Sequence, residues 1–321
     1  MTKRLTIALA CNADGSEKLP PLFIGKAEKP RGFTSSTAAE LNYLHNANML
    51  MTREIFIKWV RDLDFRFQEQ RRHCALLIDS TAVHVGFDVQ GLTNIEIVYL
   101  PSGSPRNLLP LASGIVAAFK RRYRRRQIQY ALDQLDADTD VSTIARFESV
   151  GVKQAIAWCI ESWIAVPSSM IASCWYETGL VYAESSGFEH DYRGREDAIS
   201  EELAVMLSWL HAADPLTVEE LLDLPEENVI MEEPTDEDFC APIESVKIMV
   251  PQLKPKVADT DGGLPAQELK ERLKWIAKLL IYADEKGVPA ESVSGLRVLQ
   301  RDFRDQLNQK QPGNNAADLR Q

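Results

Sequence analysis

Residues 74–84 read CALLIDSTAVH, and the fold class follows from this stretch. Five apolar residues followed by an aspartate are typical of a short buried strand that ends in a polar loop. Open α/β sheets place functional groups at the carboxyl ends of such strands. Asp79 is therefore a candidate site residue. The alternative is an aspartate that only caps a turn or the next helix.

A hairpin and a helix are predicted before this stretch. Residues 4–11 (RLTIALAC) and 20–25 (PPLFIG) are rich in apolar residues, and the NADG sequence that follows the first of them carries an Asp-Gly turn signal. Residues 52–67 are predicted to form a helix that Thr52 caps. Its buried face is expected to contain Ile55, Trp59, Leu63 and Phe67.

Strand and helix alternate after this stretch as well. Residues 95–101 (IEIVYLP) repeat the buried-strand pattern, and a helix is expected from about Ser113 to about Leu135. The apolar side of that helix carries Ile115, Phe119, Tyr123 and Ile128. Strands first, and then strand and helix in alternation, predict an α/β fold with a mixed sheet.

From about residue 141 the strand signal disappears, and helices are predicted up to residue 212. Residues 213–263 are expected to form an acidic, partly disordered linker, because residues 214–244 contain twelve acids and no base. Residues 264–310 are predicted to form a helical hairpin that breaks at Gly287 and Pro289. Its apolar faces are Leu269, Leu273, Ile276 and Leu280 on the first helix, and Val293, Leu296, Leu299, Phe303 and Leu307 on the second. Self-association of the hairpin and docking back on the body both remain open.

The composition excludes several classes of protein. Of the 321 residues 45% are hydrophobic and 26% are charged, as in globular proteins. The longest apolar runs fall short of the roughly 20 residues that a spanning helix needs, so no membrane association is expected. Five scattered cysteines without CxxC spacing speak against a zinc site and favour a reducing compartment, the cytosol or the nucleus.

The net charge of −11 is an average over two unlike parts of the chain. Residues 1–130 hold 19 basic and 11 acidic side chains, whereas residues 131–321 hold 17 basic and 36 acidic ones. This asymmetry indicates a basic module followed by an acidic one. A nucleic-acid partner is therefore compatible with the first part of the chain.

The sequence KRRYRRR at residues 120–126 concentrates positive charge on the predicted helix. Its cations are Lys120, Arg121, Arg122, Arg124, Arg125 and Arg126. Six cations within two turns repel one another unless anions or solvent screen them, so contact with phosphate groups is predicted. The alternatives are a solvated helix face, pairing with the acidic tail, and a nuclear-import signal, which is compatible with phosphate contact.

Four blocks of the sequence resemble a known family. They are residues 5–33, residues 76–84 (LLIDSTAVH), residues 92–128 and residues 166–181 (VPSSMIASCWYETGLV). In this order and spacing they are similar to the DDE superfamily endonuclease domain of pogo/Tigger-type transposases, which also underlies proteins similar to centromere protein B and the jerky proteins. The resemblance covers about residues 3–180 and implies a ribonuclease-H-like fold.

The resemblance also implies a chemistry and a set of site residues. The family cuts and joins DNA with three carboxylates that hold two divalent metal ions, Mg²⁺ or Mn²⁺. Asp79 matches the second carboxylate. The position of the third carboxylate is Ala112 in this sequence. The first carboxylate belongs to a strand that is expected to precede Met1, so this strand is expected to be missing. Asp14 matches a hairpin turn of the family, and His84 is retained beside Asp79.

These observations predict a transposase-derived nuclear protein that binds nucleic acid without catalysis. Its expected parts are a degenerate ribonuclease-H-like domain over residues 1–135, a helical extension over 136–212, the linker over 213–263 and the hairpin over 264–310. No cofactor is expected. DNA binding should be weak and non-specific, because the family recognises specific DNA sequences with helix-turn-helix domains that lie upstream of this domain. The alternatives are an active metal-dependent endonuclease or transposase, with Asp79 as a metal ligand, and a protein-interaction module acting through residues 264–310.

Overall fold

The computed structural model describes residues 4–85, 91–101, 108–137, 150–181, 191–210, 216–224 and 265–309. The predicted acidic linker lies outside these residues, apart from residues 216–224. The chain divides into two compact units, residues 1–131 with 143–228 and residues 132–142 with 229–321. In chain order the elements are β1 Thr6–Ala8, β2 Leu22–Gly25, α1 Ser35–Glu40, β3 Tyr43–His45, α2 Arg53–Glu69, β4 Cys74–Ile78, β5 Ile95–Tyr99, a π-helical turn Leu111–Ile115, α3 Val116–Ala137, α4 Val152–Ile164, α5 Ser168–Glu177, α6 Asp191–Trp209, α7 Val218–Leu222, α8 Ala266–Glu285, a 3-10 turn Ala290–Val293 and α9 Ser294–Gln309.

The first unit contains two small sheets, which confirms an α/β fold. In the three-stranded sheet, β2 pairs antiparallel with β1 and parallel with β3, so this sheet is mixed as predicted. In the second sheet, β4 and β5 pair in parallel, with Cys74 opposite Ile95 and Ile78 opposite Tyr99. Among the described residues β4 therefore has a strand neighbour on one side only.

The prediction that β4 and β5 are fully buried strands is wrong. Helix α2 covers one face of their sheet, where its Leu63 and Phe67 pack with Ile95 and the partly buried Leu76. Side chains on a strand alternate between the two faces, so Ala75 and other residues of the opposite face reach the surface. The pair is half-buried because α2 covers only one of its two faces.

The core of the first unit lies where the three-stranded sheet meets helices α3, α4 and α5. Its members are Phe23, Tyr43, Ile115, Ala118, Phe119, Ile156, Cys159, Trp163, Val166, Met170, Ile171 and Cys174. The predicted helix near Ser113–Leu135 is confirmed as the π-helical turn followed by α3. Ile115, Phe119 and Ile128 are buried as expected, and Tyr123 is partly buried.

The predicted β-hairpin of β1 and β2 is confirmed, and Asp14 and Gly15 of the NADG sequence stabilise its turn. The Asp14 carboxylate accepts hydrogen bonds from the Ser16 amide at 2.9 Å and from the Ser16 hydroxyl at 2.7 Å. Gly15 has φ +69°, and a Cβ atom there would lie 2.7 Å from the Ser168 Cα atom. Asp14 therefore closes a turn that packs against the start of α5. After the turn, the Lys18 ammonium donates to three carbonyls at the end of α4, at 2.6 to 3.1 Å.

Helix α2 begins after Thr52, whose side chain accepts from the Ile55 amide as predicted. Its buried face is shifted from the predicted one, because Phe56 and Val60 are buried with Leu63 and Phe67, while Ile55 and Trp59 are only partly covered. A spacing of four residues at every step drifts around a helix of 3.6 residues per turn. The observed spacing of four, three and four residues stays on one face.

In the second unit, α8 and α9 form the predicted hairpin. The chain breaks at Gly287, which has φ +67°, and restarts after Pro289. Leu269, Leu273, Ile276 and Leu280 are buried as predicted for α8.

The predicted apolar face of α9 is wrong in part. Its buried residues are Gln300 and Arg304, whereas Leu299 is exposed. Gln300 donates to Asp133 at 2.8 Å, and Arg304 binds Asp136 at 2.6 Å, both on the last turns of α3. Helix α9 therefore packs against the end of α3 through polar and charged side chains, which the spacing of apolar residues does not predict.

No single helix among the described residues is long and apolar enough to cross a membrane, and only the pair α4 and α5, bent by 72°, meets the length and composition criteria together.

Candidate active site and basic helix

Asp79 follows directly after β4, at the strand end that the sequence predicts. Its Oδ1 atom accepts hydrogen bonds from His84 Nδ1 at 2.5 Å, from the Thr81 hydroxyl at 3.0 Å and from the Thr81 amide at 3.4 Å. The hydrogen bond from His84, above all, holds the pKa of the Asp79 carboxyl below its ordinary value, although burial alone would raise it. Asp79 thus closes the loop that follows β4.

The same loop is fixed from two neighbouring elements. The His84 ring lies against the Phe56 ring of α2, with a centroid distance of 4.4 Å. The Tyr99 hydroxyl of β5 donates to the His84 carbonyl at 2.9 Å, and Arg53 of α2 donates to the Ala82 carbonyl at 2.8 Å. These contacts hold the imidazole against the Asp79 carboxylate, so His84 has a structural role here.

Ala112 is exposed and lies in the π-helical turn before α3. Its methyl group has no lone pair to offer a metal ion, and two magnesium ions require several converging carboxylate oxygens. Within the described ranges, no group of three or more histidine, cysteine, aspartate or glutamate side chains is arranged to hold a metal ion. Asp79 contributes one carboxylate, and one of its oxygens already accepts three hydrogen bonds. The described residues therefore do not fit the two-metal set that the resemblance implies.

The basic residues of α3 face side chains of the same unit, beginning with Glu196 of α6. Glu196 is only 5% exposed. Arg122 binds its carboxylate with two hydrogen bonds, at 2.6 and 3.1 Å, and Arg121 approaches it at 3.4 Å while donating to the Ser200 hydroxyl at 3.0 Å. One buried carboxylate thus separates two guanidinium groups, which removes much of the repulsion between them.

Two further cations of the run also make contacts within the first unit. Arg124 is buried, donates to Gln127 at 2.6 Å and stands 5.9 Å from the centre of the Tyr123 ring. Lys120 donates to the Leu222 carbonyl at the end of α7, at 2.8 Å. A cation at a helix C-terminus satisfies carbonyl groups that have no partner within the helix. Lys120 therefore connects α3 to α7, whereas Arg124 contacts Gln127 and Tyr123 within α3.

Arg125 and Arg126 are the exposed members of the run, with 48% of each side chain accessible to solvent. Arg125 pairs with Glu202 of α6 at 3.0 Å, and Arg126 pairs with Glu161 of α4 at 2.9 Å. For the run as a whole, the structure favours the alternative of intramolecular pairing. Among the described residues, the carboxylates that pair with it come from α4 and α6; most of the acidic tail lies outside those residues.

Sequence reasoning missed Glu161, Glu196 and Glu202 as partners of the basic run. Their positions on α4 and α6 give a weak signal, because α6 carries five acidic residues and the sequence shows neither which of them face α3 nor that Glu161, the acidic residue of α4, does. Spacing within a helix predicts its faces, but it does not predict which face of a distant helix lies opposite.

Comparison with known proteins adds the family. The sequence model of the family described as DDE superfamily endonuclease matches residues 2–175. Tigger transposable element-derived protein 4 of Mus musculus is 29% identical over 226 residues, which are 70% of this chain and 42% of that protein. Major centromere autoantigen B of Homo sapiens is 33% identical over 179 residues, 56% of this chain and 28% of that protein.

A third relative matches along more of the chain. ARS-binding protein 1 of Schizosaccharomyces pombe is 25% identical over 309 residues, which are 91% of this chain and 56% of that protein. The chain spans less than half the length of the first two relatives. No solved structure gives a significant match.

Proposed function

Because the chain belongs to the DDE superfamily endonuclease family and carries a domain of pogo/Tigger type, we propose that it is a transposase-derived nuclear protein that binds nucleic acid and does not cut it. The observation that carries the proposal is the state of the candidate site. Asp79 is engaged by His84 and Thr81, and Ala112 stands where the family has another carboxylate. Two-metal catalysis needs converging carboxylates. The protein accordingly needs no metal cofactor.

The proposed nucleic-acid contact rests on the exposed end of the basic run. Arg125 and Arg126 pair with Glu202 and Glu161 at the surface, and surface ion pairs contribute only about 0–1 kcal/mol. Phosphate groups can therefore exchange with these carboxylates without disturbing the core. The names of two relatives, ARS-binding protein 1 and major centromere autoantigen B, are compatible with a chromosomal role. Contacts to phosphate carry no sequence information, so binding should be weak, salt-sensitive and non-specific.

A salt titration of DNA binding tests this proposal. The double variant Arg125→Gln/Arg126→Gln removes two phosphate contacts, so the slope of log affinity against log salt should decrease in magnitude by about 2 on duplex DNA. The matched control is Lys26→Gln/Lys29→Gln, which removes two exposed cations from the loop after β2 and should leave the slope unchanged. Equal slopes for the wild type and the Arg125/Arg126 variant would contradict phosphate binding at this site.

Two other functions remain as candidates. An active metal-dependent endonuclease is favoured by family membership alone, and DNA cleavage that depends on Asp79 would identify it. A protein-interaction module acting through residues 264–310 is favoured by a different observation, the aromatic residues exposed on α8. The predicted apolar face of that helix is buried, so an interaction of α8 requires its other side.

A further inference from the structure

Two surface carboxylates bind the same cations that we assign to phosphate contact. Glu202 of α6 binds Arg125 at 3.0 Å, and Glu161 of α4 binds Arg126 at 2.9 Å. Both glutamate side chains keep access to solvent, with 29% and 53% of their surface exposed. A carboxylate and a phosphate group offer a guanidinium group the same kind of oxygen acceptors. Phosphate groups therefore have to compete with these glutamates for the two arginines.

The two ion pairs also hold the arginines apart. Consecutive side chains of a helix diverge by about 100°, so Arg125 and Arg126 point to different sides of α3. Arg125 binds α6 on one side, and Arg126 binds α4 on the other. A nucleic-acid backbone in contact with both guanidinium groups therefore has to replace both carboxylates.

These ion pairs can open because they lie at the surface, unlike the pair one turn earlier on α3. Glu196 is buried, and the side chain of Arg122 that binds it is only 12% exposed. Removing one partner from a buried ion pair is costly, whereas an exposed pair opens at little cost. The basic run thus contains cations fixed by a buried carboxylate, followed by Arg125 and Arg126, whose partners are exchangeable.

We propose that Glu161 and Glu202 inhibit nucleic-acid binding: they neutralise Arg126 and Arg125 in the free protein, and phosphate groups must displace them in order to bind. This inference rests on the proposed function, because it concerns the regulation of the same phosphate contact. Once displaced, the two carboxylates lie close to the phosphate groups and repel them. The glutamates therefore weaken binding in two ways, through the ion pairs that must open and through repulsion in the complex.

The size of the inhibition follows from the exposure of the two ion pairs. Opening one exposed pair lowers an equilibrium constant by about threefold, so opening both lowers the affinity for nucleic acid by about tenfold. Salt screens the ion pairs and also the repulsion between the carboxylates and the phosphate groups. The inhibition should therefore be strongest at low salt and become weaker as the salt concentration rises.

Fluorescence anisotropy with a fluorescein-labelled DNA duplex of mixed sequence tests the inhibition, in titrations of the full chain at about 50 and 200 mM salt. The double variant Glu161→Gln/Glu202→Gln should bind the duplex about tenfold more tightly than the wild type at the lower salt concentration, with a smaller gain at the higher one. The matched control is Glu54→Gln/Glu69→Gln, which removes two exposed carboxylates from α2 and changes the net charge by the same amount. This control should change the affinity by less than about twofold, because its charges lie away from the two arginines.

The arginines themselves show whether the gain in affinity is local. In a protein that also carries Arg125→Gln/Arg126→Gln, replacing both glutamates should raise the affinity no more than the α2 control does, because no guanidinium group is released. Circular dichroism checks that each variant is folded.

Two results would overturn the inhibition while leaving the phosphate contact in place, provided that Arg125→Gln/Arg126→Gln reduces the salt dependence of binding. One is a glutamate variant that binds DNA no better than the α2 control. The other is an equal gain in affinity with and without the two arginines. If Arg125→Gln/Arg126→Gln leaves the salt dependence unchanged, the phosphate contact itself is wrong, and the inhibition is wrong with it.

Discussion

The buried carboxylate of Glu196 is predicted to be the main electrostatic support of helix α3. In the variant Glu196→Gln, the shape of the side chain is retained but its charge is removed. The guanidinium groups of Arg121 and Arg122, whose side chains are 22% and 12% exposed, would then lie close together without the Glu196 charge between them. The basic run would lose the contact that lets it lie inside the first unit.

The magnitude follows from the burial of these groups. Breaking a fully buried ion pair by removing one partner destabilises a protein by about 3–5 kcal/mol. The two arginine side chains keep some access to solvent, and the glutamine amide oxygen still accepts one hydrogen bond, so we expect a loss of about 2–3 kcal/mol. For a unit of this size such a loss lowers the melting temperature by roughly 5–10 °C.

Urea unfolding followed by circular dichroism measures the effect. Glu202→Gln is the matched control, because Glu202 pairs with the half-exposed Arg125. This variant should lower the free energy of unfolding by less than about 1 kcal/mol. The double variant Glu196→Gln/Arg122→Met should recover part of the stability, since it also removes one of the two uncompensated charges. If Glu196→Gln and Glu202→Gln lower the free energy of unfolding by the same small amount, the basic run does not depend on this buried carboxylate.

Three further predictions concern other parts of the fold. Lys18→Met removes the ammonium group that donates to three carbonyls at the end of α4, and it should lower the free energy of unfolding by about 2 kcal/mol. Urea unfolding measures this loss. The control Lys58→Met, which removes an exposed ion pair, should change the free energy of unfolding by less than about 0.5 kcal/mol. Burial alone would raise the pKa of Asp64, but hydrogen bonds from three backbone amides at the start of β5 keep it below its ordinary value. The stability that Asp64 contributes is thus present above about pH 4 and is lost as the pH falls through the lowered pKa of Asp64. The free energy of unfolding of Asp64→Asn should therefore fall less steeply with acid than that of the wild type. Equal acid dependence of the two proteins would contradict this. Arg304→Met leaves the carboxylate of Asp136, whose side chain is 10% exposed, without the Arg304 guanidinium and should destabilise the second unit by about 3 kcal/mol. The measurement is hydrogen exchange along α9, which should become faster; unchanged exchange would show that the ion pair is dispensable.

Local sequence signals predicted the elements of this fold well. The NADG turn, the Thr52 cap, the break at Gly287 and the buried face of α8 depend on residues close together in the chain, and all four are confirmed. In α2 the error was one of period, because a spacing of four residues at every step does not stay on one face. The half-buried state of β4 could not be predicted, because it depends on which faces of the sheet are covered by helices in the folded unit.

The candidate site shows the same division between local and long-range information. The strand-end position of Asp79 and the turn role of Asp14 follow from adjacent residues. The pairing of Arg122 with Glu196 joins residues 74 positions apart, and that of Arg304 with Asp136 joins residues 168 apart. No periodicity within one helix indicates which charges on another helix will face it.

Cleavage of supercoiled plasmid DNA in Mg²⁺ or Mn²⁺ tests whether this protein cuts DNA. The wild type is compared with Asp79→Ala and with Asp62→Ala, which removes an exposed carboxylate from α2. The three proteins are expected to give the same background of nicked DNA, because two-metal chemistry needs several converging carboxylates and the described residues contain no group of three or more side chains arranged to hold a metal ion. Cleavage by the wild type and by Asp62→Ala that is lost in Asp79→Ala would contradict this expectation and identify the chain as an active endonuclease.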